Sequence, residues 1–361
     1  MHGISKLFEV SRKASSHPME GLRGVAVFMV FMVHYVSNVA PWTPSNIGHI
    51  AAAVHTIGSA GVDLFFVLSG YLIYGSLIAN PQPFGPFIAR RAQRIYPAFL
   101  VVLAVYVALS YMFPGESRIP DAPGAAALYL AQNVLLMPGM FPVEPIITVA
   151  WSLSYEMMFY LIVPLIVGWM ALRRCPQQTR ASVIAMATAC CLLVLDGEHQ
   201  RIIMFCAGMA VFELVKSGRR PPPASVAMVS VAVGLGTLLF DVSTELRRIW
   251  LFIGLTLACW HCVASASWLT RVLSWSPLRW YGNMSYSYYL IHGLTLKFTF
   301  LLVGMLVPKG VSLVAAMLAP AFLVTLVPAA MLFLLVERPL SLQQPKSSAP
   351  ALDGARLSRS G

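Results

Sequence analysis

An arginine and a histidine stand inside the first long apolar run of the sequence, at Arg23 and His34. Their eleven-residue spacing is about three turns of an α-helix, so both side chains lie on nearly one face, with His34 roughly 16 Å further along. Ionisable groups inside a span are costly and usually face a bundle interior or a wet cavity. A histidine at mid-depth suits general-base chemistry near neutral pH. The same residue serves equally as a packing histidine bonded to a neighbouring carbonyl.

Other polar residues recur in apolar surroundings. The second run reads Gly61-Val-Asp63-Leu-Phe-Phe-Val-Leu-Ser69-Gly70-Tyr71. Asp63 enters near one end, as a packing residue or as a polar partner at the mouth of a site, and small residues such as Ser69 and Gly70 let helices approach closely. Next comes Arg90-Arg91-Ala-Gln-Arg94. Arg91 and Arg94 share a helical face, and arginine forks pair well with phosphate oxygens. Anchoring by positive charge at a membrane surface is the plainer account. Glu156, in Trp151-Ser-Leu-Ser154-Tyr155-Glu156, lies about one turn inside a later run. There it can orient a base, accept a sugar hydroxyl or pair with an arginine. His292 closes a polar, aromatic face that begins at Met284, as a second site residue or as one bonded to its serine and tyrosine neighbours. Glu337-Arg338-Pro339 reads as an interfacial salt bridge at the end of the last run.

The elements that must carry these residues follow from composition. Hydrophobic residues make up 58% of the 361 positions and charged residues 11%, against about 25% charged in a soluble domain. So few charges cannot cover a water-facing surface. Stretches near the roughly 20 apolar residues a spanning helix needs recur along the chain. They predict an all-α polytopic membrane bundle of about ten transmembrane helices, near 22–40, 58–79, 96–113, 150–171, 181–195, 200–216, 224–240, 249–266, 283–306 and 311–336. Residues 124–140 read as a partly buried or re-entrant segment broken by Asn133 and Pro138-Gly139.

Lysine and arginine alternate between the two sets of connections, which places both termini in the cytoplasm. The basic set includes Lys6, Arg12, Lys13, Arg90, Arg91, Arg94, Arg173, Arg174, Arg180, Lys216, Arg219, Arg220 and the tail. The other holds only Arg118, Arg201, Arg247, Arg248 and Lys309. The net charge of +11 is thus mostly a topology signal rather than a nucleic-acid footprint. The expected organisation is a cytoplasmic tail over 1–20, a membrane domain over 21–339 and a disordered cytoplasmic tail over 340–361. No cleaved leader pattern precedes the first run. The six cysteines suggest no disulfide framework, and Cys259-Trp-His261-Cys262 has zinc-like spacing without a second pair of ligands, so no metal site is expected. Neither a Gly-rich phosphate loop nor a nucleophile elbow occurs.

Taken together, GLRGVAVFMVFMVHY, GVDLFFVLSGYLI, RRAQRIYP, WSLSYEMMFYL, YGNMSYSYYLIHG and VERPL resemble, in order from Gly21 to Pro339, the acyltransferase-3 family of bacterial membrane O-acyltransferases. The resemblance implies an acyl-CoA co-substrate, acetyl-CoA by default, taken from the cytoplasm, and no permanently bound cofactor. It implies a hydroxyl acceptor on a saccharide, as in a cell-surface polysaccharide, and residence in the bacterial inner membrane. It maps the family's essential histidine and arginine onto His34 and Arg23, its acyl-CoA arginines onto Arg91 and Arg94, with Arg90 beside them, and its acidic residue onto Glu156. The expected mechanism docks the acyl-CoA headgroup on the arginines, brings the hydroxyl in near Asp63 and Glu156, and uses His34 as base. Arg23, Ser69 and Tyr71 are candidates to stabilise the oxyanion, and His292 is a supporting residue. Some members of the family add an extracytoplasmic domain, and the chain's end about twenty residues past Glu337 predicts transfer by the membrane part alone or with a partner. A transporter or flippase for a sugar or lipid-linked sugar is the rival class. The matched broken helices that transporters often show are not evident.

Overall fold

Inside lipid every backbone N–H and C=O must be satisfied within the protein, which favours helices. The computed structural model describes residues 7–10, 16–42, 48–306 and 311–342; among these, helices are joined by turns and loops, and the extended pairing is one isolated bridge between Pro138 and Phe141. The expected tail charges Lys6, Arg12, Lys13, Lys346, Arg356 and Arg359, and Lys309, lie outside the described residues, as does most of the predicted tail over 340–361.

The helices in chain order are α1 His17–Val39, α2 Gly48–Ala79, α3 Phe84–Met112, α4 Pro123–Val134, α5 Trp151–Trp169, α6 Gln177–Val194, α7 Ile203–Lys216, α8 Ala224–Thr237, α9 Thr244–Ala264, α10 Trp268–Leu273, α11 Ser276–Asn283, α12 Ser285–Leu306, α13 Val311–Ala316 and α14 Leu318–Leu332. A π-helical stretch, Phe333–Leu342, continues from α14.

Among the described residues seven segments are long and apolar enough to cross a membrane: 17–42, 48–79, 84–112, 148–169, 244–264, 285–306 and 313–342. The protein is a multi-pass membrane bundle. The remaining expected spans correspond to α6, α7 and α8, which fall short of that standard. At 1.5 Å per residue the 14 residues of α7 or of α8 reach about 21 Å, less than a hydrocarbon core of about 30 Å. α6 opens on Gln177, Gln178 and Arg180, which lowers its apolar character.

The core is organised around α2. It packs against α1 on one side and α7 on another, while α1 also meets α11 and α12. The approach of α2 to α7 depends on glycine. A β-carbon at Gly70 would lie 2.1 Å from the carbonyl oxygen of Phe205, and one at Gly208 would lie 2.0 Å from that of Val67. Both obstacles are backbone, so no side chain can move aside. The same seam carries stacked rings: Phe66 on Phe205 at 4.4 Å between centroids, and Phe205 on Phe159 at 4.3 Å. The stack joins α2, α7 and α5, and so holds Ser69 of α2 against Glu156 of α5.

Residues 124–140 are partly buried, as expected: Asn133 in α4 and Leu136 and Pro138 after it are buried, while most of the side chains of α4 are not. Asn133 ties the following loop: its Oδ1 accepts from the Ile146 N–H at 2.8 Å, and its Nδ2 donates to the Tyr129 carbonyl at 3.0 Å. Gly139, at φ +92°, makes the turn that brings its carbonyl to the Tyr155 hydroxyl at 3.1 Å. Glu337 forms a salt bridge, as expected, but one buried within the protein. It is 0% exposed, and its carboxylate accepts from Arg94 of α3 and from the Ser287 N–H at 3.1 Å. The wider π-helical turn, which includes Pro339 with no N–H to donate, carries it there.

Replacing Gly208 by valine is expected to destabilise the bundle by about 1–3 kcal/mol or more through overpacking against backbone. Thermal unfolding in detergent measures this, and an unchanged transition would show that the α2–α7 seam is looser than the geometry indicates.

Candidate active site

Helical periodicity puts Arg23 and His34 on one face of α1, and the fold gives them different surroundings. Arg23 lines a cavity of about 170 Å³ with Arg91 and Arg94 of α3, Ser69 of α2, Glu156 and Tyr160 of α5, and Ser285 and Tyr286 of α12. His34 lines two other cavities, of about 490 and 550 Å³. Tyr289 and Val62 line both the arginine cavity and the 550 Å³ cavity, and therefore stand between them. The Tyr289 hydroxyl is fixed at 2.6 Å from Ser152 Oγ and 3.0 Å from the Val149 carbonyl.

The arginine cavity is rich in positive charge. Arg94 is paired with Glu337, whereas Arg23 donates to Ser285 Oγ at 3.2 Å. Arg91 lies over the rings of Phe87 and Tyr160, at 5.3 and 5.8 Å from their centroids, and its buried Nε lacks a hydrogen-bond partner. Among the described residues neither Arg23 nor Arg91 has a carboxylate within ion-pair reach. Glu156 accepts from Ser69 Oγ at 3.1 Å and from the Tyr160 hydroxyl, both on Oε1. Tyr160 reaches it because an i, i+4 spacing stacks the two on one helix face. Such a cavity can receive an anion or a carbonyl oxygen that gains negative charge.

The proton positions of His34 and its neighbour follow from their hydrogen-bond partners. His292 Nδ1 contacts only carbonyl oxygens, those of Tyr288 and Tyr289, each at 2.9 Å. Nδ1 therefore carries the proton, and Nε2 is an acceptor. That Nε2 lies 3.2 Å from His34 Nδ1, which also faces the Val30 carbonyl at 3.0 Å. Two acceptors around His34 Nδ1 require the proton there. The lone pair of His34 is thus on Nε2, in the tautomer a general base needs.

The remaining residues fall elsewhere. Asp63 is buried and paired with Arg201 at 2.7 Å and Arg248 at 3.7 Å, apart from Glu156. The mouth expected between Asp63 and Glu156 is therefore not formed; Glu156 lies with the arginines. Tyr71 turns towards Phe212 of α7, at 6.2 Å between centroids, and does not line the arginine cavity. Arg90 is exposed and donates to Gln82 Oε1 at 2.6 Å. His261 has both ring nitrogens engaged, by the Pro222 carbonyl at 2.7 Å and Ser267 Oγ at 2.8 Å. No group of three or more potential metal ligands occurs among the described residues.

Sequence reasoning missed Tyr160, Tyr289, Ser152 and the inward role of Glu337. It also missed Arg201 and Arg248, although both stood out as basic residues on the charge-poor side of the topology, a sign that something local holds them.

The family model described as an acyltransferase domain matches residues 17–335. The chain belongs to the acyltransferase-3 family. This acyltransferase is 30% identical over 263 residues to the exopolysaccharide production protein ExoZ of Rhizobium meliloti, covering 66% of this chain and 76% of that one. It is 28% identical over 316 residues to the O-acetyltransferase OatA of Staphylococcus aureus, covering 76% of this chain but only 49% of OatA, so the match spans about half of that relative. No solved structure matches the acyltransferase at a significant level.

If His292 orients His34, His292→Leu lowers the rate of acyl transfer at saturating substrate on the order of tenfold or more, part of the 10²–10⁴ a positioned base supplies. KM stays near wild type and the pH–rate profile changes shape. His292→Gln, which keeps an acceptor oxygen, recovers part of the rate. A leucine variant with the wild-type rate and pH profile would remove His292 from the reaction.

Proposed function

We propose that this acyltransferase is an O-acyltransferase that moves an acyl group, acetyl by family default, from cytoplasmic acyl-CoA to a hydroxyl of a saccharide such as a cell-surface polysaccharide. It does so in the bacterial inner membrane with both termini in the cytoplasm. The names of ExoZ and OatA support the saccharide setting and the acetyl group. The observation that carries the reading is the pairing of a tautomer-fixed histidine on one side of Tyr289 with unpaired guanidiniums on the other.

At about 170 Å³ the arginine cavity is below the roughly 300–1,000 Å³ of ordinary small-molecule sites. It suits the thioester end of the donor or one anionic group rather than a whole coenzyme. In this scheme Arg23 and Arg91 hold the donor, with Arg90 and Arg94 beside them. The thioester end of the donor must extend past Tyr289 to reach His34. There His34 Nε2 takes the acceptor's hydroxyl proton as its oxygen bonds to the thioester carbon. The tetrahedral intermediate collapses, the C–S bond breaks, and the coenzyme sulfur takes the proton from the imidazolium. The products are an ester and free coenzyme thiol. Ser69 and Arg23 line the cavity on the far side of Tyr289 from His34, so in this scheme they act on the donor end rather than on an oxyanion formed beside His34. A covalent acyl-histidine is the second route, distinguished by trapping a labelled enzyme.

The test is label transfer from radiolabelled acetyl-CoA to extracted glycans in membranes holding matched amounts of wild type, His34→Ala and Arg91→Ala. Loss of about a hundredfold or more is expected for His34→Ala. For Arg91→Ala the expected result is a KM for acetyl-CoA raised about tenfold, the worth of a charged hydrogen bond. Arg91 is preferable to Arg94, whose removal strands the buried Glu337 carboxylate at a cost of about 3–5 kcal/mol. Equal label in wild type and His34→Ala would remove His34 as base, and no label in any of them would overturn the reading.

A further inference from the structure

The 550 Å³ cavity beside His34 has a wall that the transfer chemistry does not use. It is built from ends of four separate segments: His55 and Ser59 of α2, Trp151 of α5, Glu198 and Arg201 between α6 and α7, and Arg247 and Arg248 of α9. Three guanidiniums therefore face one lining carboxylate, Glu198, with Asp63 behind the wall.

The ion pairs balance Arg201 and Arg248 but leave Arg247 weakly held. Asp63 Oδ2 is shared by Arg201 at 2.7 Å and Arg248 at 3.7 Å. Glu198 is shared by the same two, through Arg201 Nε and through Arg248 Nη2 at 3.3 Å. Arg247 has only Asp241, at 3.6 Å, and that carboxylate is fully exposed to solvent, where a pair contributes little. The Nε atoms of Arg247 and Arg248 are buried without an acceptor, although Arg248 is itself only 6% exposed. Asp63 Oδ1 is also without a donor, but it faces the protein rather than the cavity. Buried donors left without acceptors are costly, and an arginine in a charge-poor connection of a membrane protein calls for a local reason.

Resting on the acyl-transfer reading of His34, we propose that this cavity is the acceptor site and that the acceptor saccharide carries an anionic group, a carboxylate or a phosphate, bound by Arg247 and Arg248 while its hydroxyl meets His34. The volume is that of a small-molecule site. Trp151, whose ring lies 5.8 Å from the Arg201 guanidinium, offers an apolar face to a sugar ring in the same wall. Guanidinium forks match both anions in geometry.

The experiment follows the label to its chemical setting. Membranes with wild type, Arg247→Glu or Arg247→Lys receive radiolabelled acetyl-CoA, and the labelled glycan is cut to small fragments and run on an anion exchanger. Arg247 is half-buried and held only by an exposed pair, so its replacement leaves the bundle intact, and thermal unfolding checks this. The expected wild-type label is retained on the exchanger. Carbodiimide reduction releases it if the anion is a carboxylate, and phosphatase releases it if it is a phosphate. Arg247→Glu loses label about tenfold or more at limiting acceptor, as for a charged hydrogen bond, and Arg247→Lys keeps most of it. Label on a neutral fragment, or wild-type label in a folded Arg247→Glu, overturns this inference and leaves acyl transfer standing. No label in any membrane overturns both.

Discussion

Each charge carried into this bundle has to meet an opposite charge from another helix, and that constraint shapes the rest of the molecule. Arg94 of α3 meets Glu337, Arg180 of α6 meets Glu213 of α7 at 2.7 Å, Arg201 meets Asp63 of α2, and Arg279 of α11 meets Glu20 of α1 at 2.9 Å. Removing an ion from water costs several kcal/mol even after relaxation, and only a well-placed partner offsets it. Such pairs add little net stability, but a helix that slid or rotated would strand both members, so they hold the register. Tyr74 completes one of them, donating to Glu213 at 2.8 Å.

Against that rule, two groups of arginines stand out. Arg23 and Arg91 face the small cavity without a carboxylate partner, and Arg247 faces the larger one with only an exposed acid beside it. A membrane protein that neutralises its other buried cations leaves these available to an incoming anion. The two places lie on opposite sides of Tyr289, which suits a reaction in which one anionic substrate is approached by another and only an acyl group changes compartment.

In the proposed reaction the imidazole pair supplies what arginine cannot. A guanidinium does not give up its proton, so the base must be a group whose neutral form exists at physiological pH. Two histidines in edge-to-face contact, 4.8 Å between centroids, fix one another's protons through carbonyls of their own helices. The α1–α12 packing thus determines which nitrogen of His34 is available, and no ionised partner is needed in the apolar interior.

Local sequence was enough to reveal the helical membrane bundle, the shared face of Arg23 and His34, and the arginine string at 90–94, because apolar length and helical period are properties of neighbouring residues. It also showed where polar groups interrupt apolar runs. Which polar groups meet was settled only by the tertiary structure: Glu156 lies with the arginines and not with Asp63, Tyr71 turns to α7, Glu337 turns inward on a π-helical stretch, and Arg201, Arg247 and Arg248 converge on the cavity of His34. Arg94 and Glu337 are 243 residues apart, and Arg201 and Asp63 are 138 apart. No spacing rule reaches so far, since such contacts depend on how whole helices cross, which here is set by glycines that let backbones touch and by the need to pair each buried charge. Among the described residues seven segments reach a spanning length and composition, against about ten expected, because α7 and α8 have 14 residues each and α6 opens on polar residues.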